Sequence, residues 1–287
     1  MANARLWVEA ARPKTLVAGV VPVVVGTAAS GSFRPWRFAG AMVVAVSIQV
    51  GVNFANDYFD AVKGVDLPDR IGPRRLTAMG LVPSRAMLSA MLMAFAIASA
   101  AGLALAWAVG WELVIVGGVC LAAALGYSGG PRPYGAAGLG EFFVFVFFGV
   151  VATVGSAYVQ TESIVPKAVA ASLPVGLLAT ALLVVNNLRD IDTDRRAGKT
   201  TLAVKIGRPR TERLYSALLA GAYLLLPPVV VTGGGPRAAL PVLSLPLAWR
   251  LVRRISTSQG RALVPVLVAT ARLQLVFGLL LAVGLWI

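Results

Sequence analysis

The chain has 287 residues, 58% of them hydrophobic and only 13% charged, with a formal net charge of +14 and a mean hydropathy of +0.80. Ordinary soluble domains are about one quarter charged, so a water-soluble globule is excluded as the explanation of this composition. Histidine is absent and Cys120 is the single cysteine, which removes internal disulfides and argues against haem, zinc or histidine-phosphate chemistry.

Apolar runs bounded by charge, Gly or Pro predict nine membrane-crossing helices near residues 15–30, 38–62, 84–108, 111–127, 139–159, 168–189, 212–232, 238–252 and 262–286. The first follows Arg12-Pro13-Lys14 and is expected to be a retained span rather than a cleavable signal peptide, because no soluble domain follows it. The fifth is rich in Phe142, Phe143, Phe145, Phe147 and Phe148, rings suited to steadying a cation or to packing against lipid and neighbouring helices. It also holds Glu141, an acid expected either to order a ligand or to pair with a buried cation. The eighth contains Pro241 and Pro246, which kink or shorten a helix. Residues 1–287 are therefore expected to form a single all-α domain, a polytopic membrane helical bundle.

Of the 26 Lys and Arg residues, 21 fall on the side that holds the N-terminus. Four, Arg34, Arg37, Lys167 and Arg237, fall on the other side, and Arg272 lies within the last run. That asymmetry places the N-terminus and the long basic loops in the cytoplasm of a bacterial cell, with the chain in its inner or plasma membrane. The basic residues are dispersed between spans rather than clustered, so no nucleic-acid partner is expected.

All seven aspartates lie in two short windows: Asp57, Asp60, Asp66 and Asp69 after the second run, and Asp190, Asp192 and Asp194 after the sixth. Both windows fall at cytoplasmic helix ends, and Asn56 to Asp60 is repeated as Asn186 to Asp190, as an internal duplication would produce. Residues four apart share one helix face, so each pair can aim its oxygens at one ligand, and Asp194 extends the second row by a further turn. Asp66 lies about 240° around a continuous helix from Asp60 and can join only if the helix ends near Gly64. Asp57 is matched by Asn187, so its position does not demand a carboxylate, and Asp192 is expected to be an interfacial charge. Acids without histidine or thiolate suit a hard cation such as Mg2+, which binds one or two carboxylates and leaves its other positions to water and phosphate oxygens. A diphosphate is the natural partner. Lys63, Arg70, Arg74 and Arg75 after the first window, and Arg195, Arg196 and Lys199 after the second, can offset its charge or serve only to set topology.

NDYFDAVKGVD at 56–66 together with NNLRDIDTDRRAGKTTLAVKIG at 186–207 resembles the UbiA superfamily of intramembrane prenyltransferases. The resemblance covers nearly the whole chain. Glycine at 64 with the next acid at Asp66, ARPKTL at 11–16 and YSGGPRPYGAAGLGEFFVFVFFG at 127–149 look like the 1,4-dihydroxy-2-naphthoate polyprenyltransferases of menaquinone biosynthesis within it. The resemblance implies a nine-helix UbiA-like bundle among membrane lipids. Its cavity would open to the cytoplasm and, for an isoprenoid tail, laterally to lipid. It also implies transfer of a polyprenyl group from polyprenyl diphosphate to 1,4-dihydroxy-2-naphthoate, with loss of diphosphate and carbon dioxide. Asn56, Asp60, Asp66, Asn186, Asp190 and Asp194 would hold Mg2+-diphosphate, the four aspartates being essential to the reaction. Tyr127 and Ser128, at the end of the fourth run, match a family position near the diphosphate; among the cations beside the acids, Lys63, Arg70 and Lys199 are expected to contact substrate. Another aromatic acceptor such as 4-hydroxybenzoate or homogentisate, and a secondary transporter built on a duplicated bundle, remain the competing readings.

Overall fold

The computed structural model describes residues 4–65 and 71–287. Helix α1 (Ala4–Ala11) passes through a 3-10 turn at Pro13–Thr15 into α2 (Val17–Ser30), with a bend of 54° between them. Next come α3 (Pro35–Lys63), α4 (Ser84–Val109), which packs along it, and α5 (Glu112–Ser128). Helix α6 (Gly140–Val144) continues through a π-helical stretch, Phe145–Val151, into α7 (Ala152–Thr161). Then follow α8 (Pro166–Arg189), the short α9 (Ile191–Arg196) and α10 (Leu202–Ile206), α11 (Arg208–Leu224) and α12 (Leu226–Val229). A 3-10 stretch at Pro236–Ser244 leads to α13 (Leu245–Thr257), and α14 (Leu263–Trp286) ends the chain.

Among the described residues six helices are long and apolar enough to cross a membrane, and the bent α1–α2 pair makes a seventh. All nine expected runs are helical, but α5 has only 17 residues and the eighth run is divided. Proline explains the division. Pro241 lies within the 3-10 stretch, and Pro246 sits in the first turn of α13, where its missing N–H costs no hydrogen bond.

The outside of the bundle is apolar: Leu92, Met93, Trp107, Ile115 and Phe142 are all exposed, a surface that suits lipid rather than water. Lipid removes the hydrophobic drive between helices, so close approach of small residues has to supply contact. A Cβ on Gly149 would lie 2.5 Å from the Cα of Gly176, which is how the π-helical stretch seats against α8. Helix α8 is the central element, 78% buried over its apolar window against 28% for α3. The chain is thus an all-helical, multi-pass membrane protein with the second aspartate window directly after its most enclosed helix.

At the end of the bundle away from the aspartates, Arg37 ties three elements together. Its guanidinium donates to Glu162 Oε1 (2.7 Å), to the Val159 carbonyl (2.9 Å) and to the Ala108 carbonyl (3.1 Å).

Candidate active site

Helix α3 stops where the first motif requires. Gly64 adopts a left-handed conformation (φ 65°, ψ 24°), and the Val65 N–H bonds back to the Asp60 carbonyl at 3.1 Å. Asp66, Asp69 and Arg70 lie outside the described residues. The second motif departs from the single continuous row expected of it. Asp190 leaves the helical region (φ −97°, ψ 8°) and joins the end of α8 to the start of α9. Its carbonyl still accepts from the Asp194 N–H (2.8 Å) and from Thr193 Oγ1 (2.8 Å), so the break keeps Asp194 one turn beyond Asp190.

The two motifs meet. Asn56, Asp60, Asn186, Asp190 and Asp194 line one polar pocket of about 80 Å³ together with Tyr127, Ser128, Lys199, Arg12 and Arg75. Asp60 Oδ2 accepts from Arg75 (2.8 Å) and from Lys199 (2.9 Å), a contact that joins residues 139 positions apart. Arg189 grips both carboxylate oxygens of Asp190, at 2.9 and 2.6 Å, and reaches Asn186 Oδ1 at 3.0 Å. Ser128 Oγ donates to Asn56 Oδ1. Bonds of this kind to charged partners are stronger than neutral ones and fix the direction of the carboxylates.

Not every basic residue near the motifs joins the pocket. Lys63 turns to the end of α5, donating to the carbonyls of Ser128 (2.8 Å) and Gly130 (3.0 Å). Arg74 pairs with Glu9, and Arg195 and Arg196 are exposed. Asp57 is 1% exposed and accepts the amides of Leu76 (3.0 Å) and Thr77 (2.9 Å), which fastens the segment after the first motif. Arg12 is a pocket residue that the aspartate spacing does not reveal; its sequence signal is its place in ARPKTL at 11–16, and its backbone is left-handed (φ 53°), unusual for a non-glycine, just ahead of the Pro13–Thr15 turn.

A second, apolar cavity of about 300 Å³ adjoins the first, and Arg12, Asn56, Tyr127 and Asn186 line both. Its wall carries an aromatic series. Tyr127 meets Tyr134 edge-on, Tyr134 stacks on Phe143 at 4.1 Å between centroids, and Phe143 lies parallel to Phe147 at 6.0 Å. Phe147 belongs to the π-helical stretch, a local widening that is frequent at functional sites. Phe142, by contrast, faces outward.

Among the described residues no three acids converge into a ready metal cage. The donor set, three carboxylates and two amide oxygens with basic residues alongside, nevertheless fits Mg2+ that completes its shell with water and phosphate oxygens.

Fold and site together define an all-helical membrane enzyme whose charged pocket adjoins an apolar cavity. The model of the UbiA prenyltransferase family matches residues 19–276, and the chain belongs to that family. It is 42% identical over 286 residues to a 1,4-dihydroxy-2-naphthoate octaprenyltransferase of Mycobacterium tuberculosis, covering 98% of this chain and 97% of that one. A UbiA homologue from Aeropyrum pernix superimposes with a TM-score of 0.70 at 18% identity, covering 95% of this chain and 97% of that one. A UbiA homologue from Archaeoglobus fulgidus bound to GPP and Mg2+ does so with a TM-score of 0.66 at 15% identity, over 96% and 99%. At such identities these two likenesses concern the fold.

Proposed function

We propose that this protein transfers a polyprenyl group from polyprenyl diphosphate to 1,4-dihydroxy-2-naphthoate, with Mg2+ as cofactor. One observation carries the reading: a small charged pocket opens on an apolar cavity across a shared rim of Arg12, Asn56, Tyr127 and Asn186. A ligand that fills both has an anionic head and a hydrocarbon tail, which is the chemistry of a prenyl diphosphate.

Asn56, Asp60, Asn186, Asp190 and Asp194 would hold the metal, which when bound draws charge onto the leaving diphosphate. Arg75 and Lys199, now on Asp60, line the same pocket and would offset the charge that builds on the head group, while Arg189 holds Asp190 in place. Tyr127, Tyr134, Phe143 and Phe147 present ring faces and edges along the cavity, where an allylic cation can be steadied and water kept away. The electron-rich ring attacks the allylic carbon at the carboxyl-bearing position. Loss of carbon dioxide then restores aromaticity, so no strong protein base is required.

The shorter apolar helices complete nine crossings in this reading, the pocket faces the cytoplasm, and the full chain forms one domain. Purified protein given Mg2+, one polyprenyl diphosphate and a panel of aromatic acceptors is expected to yield a decarboxylated naphthol product, resolved by mass. Asp60→Ala and Asp190→Ala are each expected to lower turnover by about a thousandfold or more, the scale of losing preorganised charge at a leaving group. Full activity in both variants refutes the site, and exclusive prenylation of 4-hydroxybenzoate refutes the acceptor.

A further inference from the structure

Glu141, in the first turn of α6, is 7% exposed, and its Oε1 accepts from Asn187 Nδ2 at 3.0 Å. In this contact the Glu141 oxygen accepts, so the amide group facing it is the NH2, and that sets which way the Asn187 side chain points. The Asn187 Oδ1 is left without a hydrogen bond from any described residue, on a side chain that lines the polar pocket. Asp57, at the matching step of the first motif, spends both oxygens on the Leu76 and Thr77 amides. The two motifs therefore differ here. The first uses the position to fasten a loop, and the second keeps an acceptor free at the pocket.

We propose that Glu141 is a positioning residue that holds the Asn187 amide oxygen towards the pocket as acceptor for an O–H donor of the bound substrates. The donor class is a hydroxyl polarised by its surroundings, either water on the hydrated divalent cation or a ring hydroxyl of the aromatic acceptor. The inference rests on the prenyl-transfer reading above.

The test uses full-length protein in lipid nanodiscs. Without Glu141 the Asn187 amide is free to turn over. Glu141→Leu is therefore expected to weaken Mn2+ binding, read by electron paramagnetic resonance without substrates, or to raise the acceptor KM, by about tenfold. The maximal rate stays within about threefold. Glu141→Gln, whose amide oxygen still accepts from Asn187, restores the affected quantity to within about threefold. A shift in Mn2+ binding assigns the metal-bound water; a shift confined to the acceptor KM assigns the ring hydroxyl. Asn187→Ala, which leaves Glu141 in place, reproduces the shift and decides the matter if Glu141→Leu does not fold. Equal loss in Glu141→Leu and Glu141→Gln, a fall in rate with KM and Mn2+ binding unchanged, or an unaffected Asn187→Ala overturns the proposal. If wild-type protein prenylates a different aromatic acceptor, the naphthoate reading fails while these comparisons are made with that acceptor instead.

Discussion

At the scale of single residues, neighbours in the same motif do unrelated work. Asp60 and Asp57 stand less than one helical turn apart on α3, yet one faces the pocket and the other is buried against a loop. Asp57→Ala would leave two enclosed amides without acceptors, at about 1–3 kcal/mol each. The expected result is a lower unfolding temperature in detergent, with activity restored in the surviving folded fraction. Asp57→Asn keeps one acceptor and should lie between. An unchanged unfolding temperature in Asp57→Ala removes the anchoring role. From sequence alone Asp57 is discounted because its counterpart is Asn187, and that comparison tests only for a shared ligand role. Acceptance of backbone amides leaves no trace in motif spacing, so its true role becomes visible only once the loop is placed.

At the scale of elements, the helix ends aim the acids. Gly64 has open space where a Cβ would be, so substitution there acts through backbone conformation and not through a clash. Gly64→Asn, which tolerates the left-handed region, should retain most activity. Gly64→Val should lose about 1–2 kcal/mol of local stability and at least tenfold in rate, because α3 would tend to run on past Lys63. Equal rates in the two variants would dissociate the cap from catalysis. This stop was legible in the spacing of Asp60, Gly64 and Asp66, whereas the break at Asp190 was not. The i, i+4 pattern of Asn186, Asp190 and Asp194 is the same whether the helix runs on or restarts with its hydrogen bonds kept. The opposite end of α3 offers a pH test. Arg37, by donating to Glu162, holds that carboxyl below its usual value of 4.5. A depressed folded value means that the bond stabilises the fold above the ordinary carboxylate range and is lost as pH falls through the folded value. Glu162→Gln should therefore unfold at a lower temperature than wild type at pH 7, and the difference should vanish in acid. A difference independent of pH would show that charge is not what Arg37 reads.

At the scale of the whole molecule, the two aspartate motifs converge on one end of the bundle while Arg37 closes the other, so the protein has a chemical end and a structural end. The order of the apolar runs made the helical bundle legible. The cavity was not, because its wall draws on α2, α3, α5, α7 and α8, and no local pattern encodes which faces meet. The same two ends permit a direct test of orientation. Cys120 lines the cavity, so a Cys120→Ala background leaves no native thiol. On it, Arg196→Cys marks the exposed side of α9 beside the pocket, and Ser163→Cys marks the exposed turn beyond α7 at the far end. If the basic loops are cytoplasmic, a membrane-impermeant maleimide should label position 163 in intact cells and position 196 only in inverted vesicles. The reverse pattern would place the charged pocket outside, away from a cytoplasmic supply of diphosphate substrate, and would overturn the orientation. Labelling of both positions in intact cells would mean that the two ends do not lie on opposite sides of the membrane, which contradicts the nine-span reading itself.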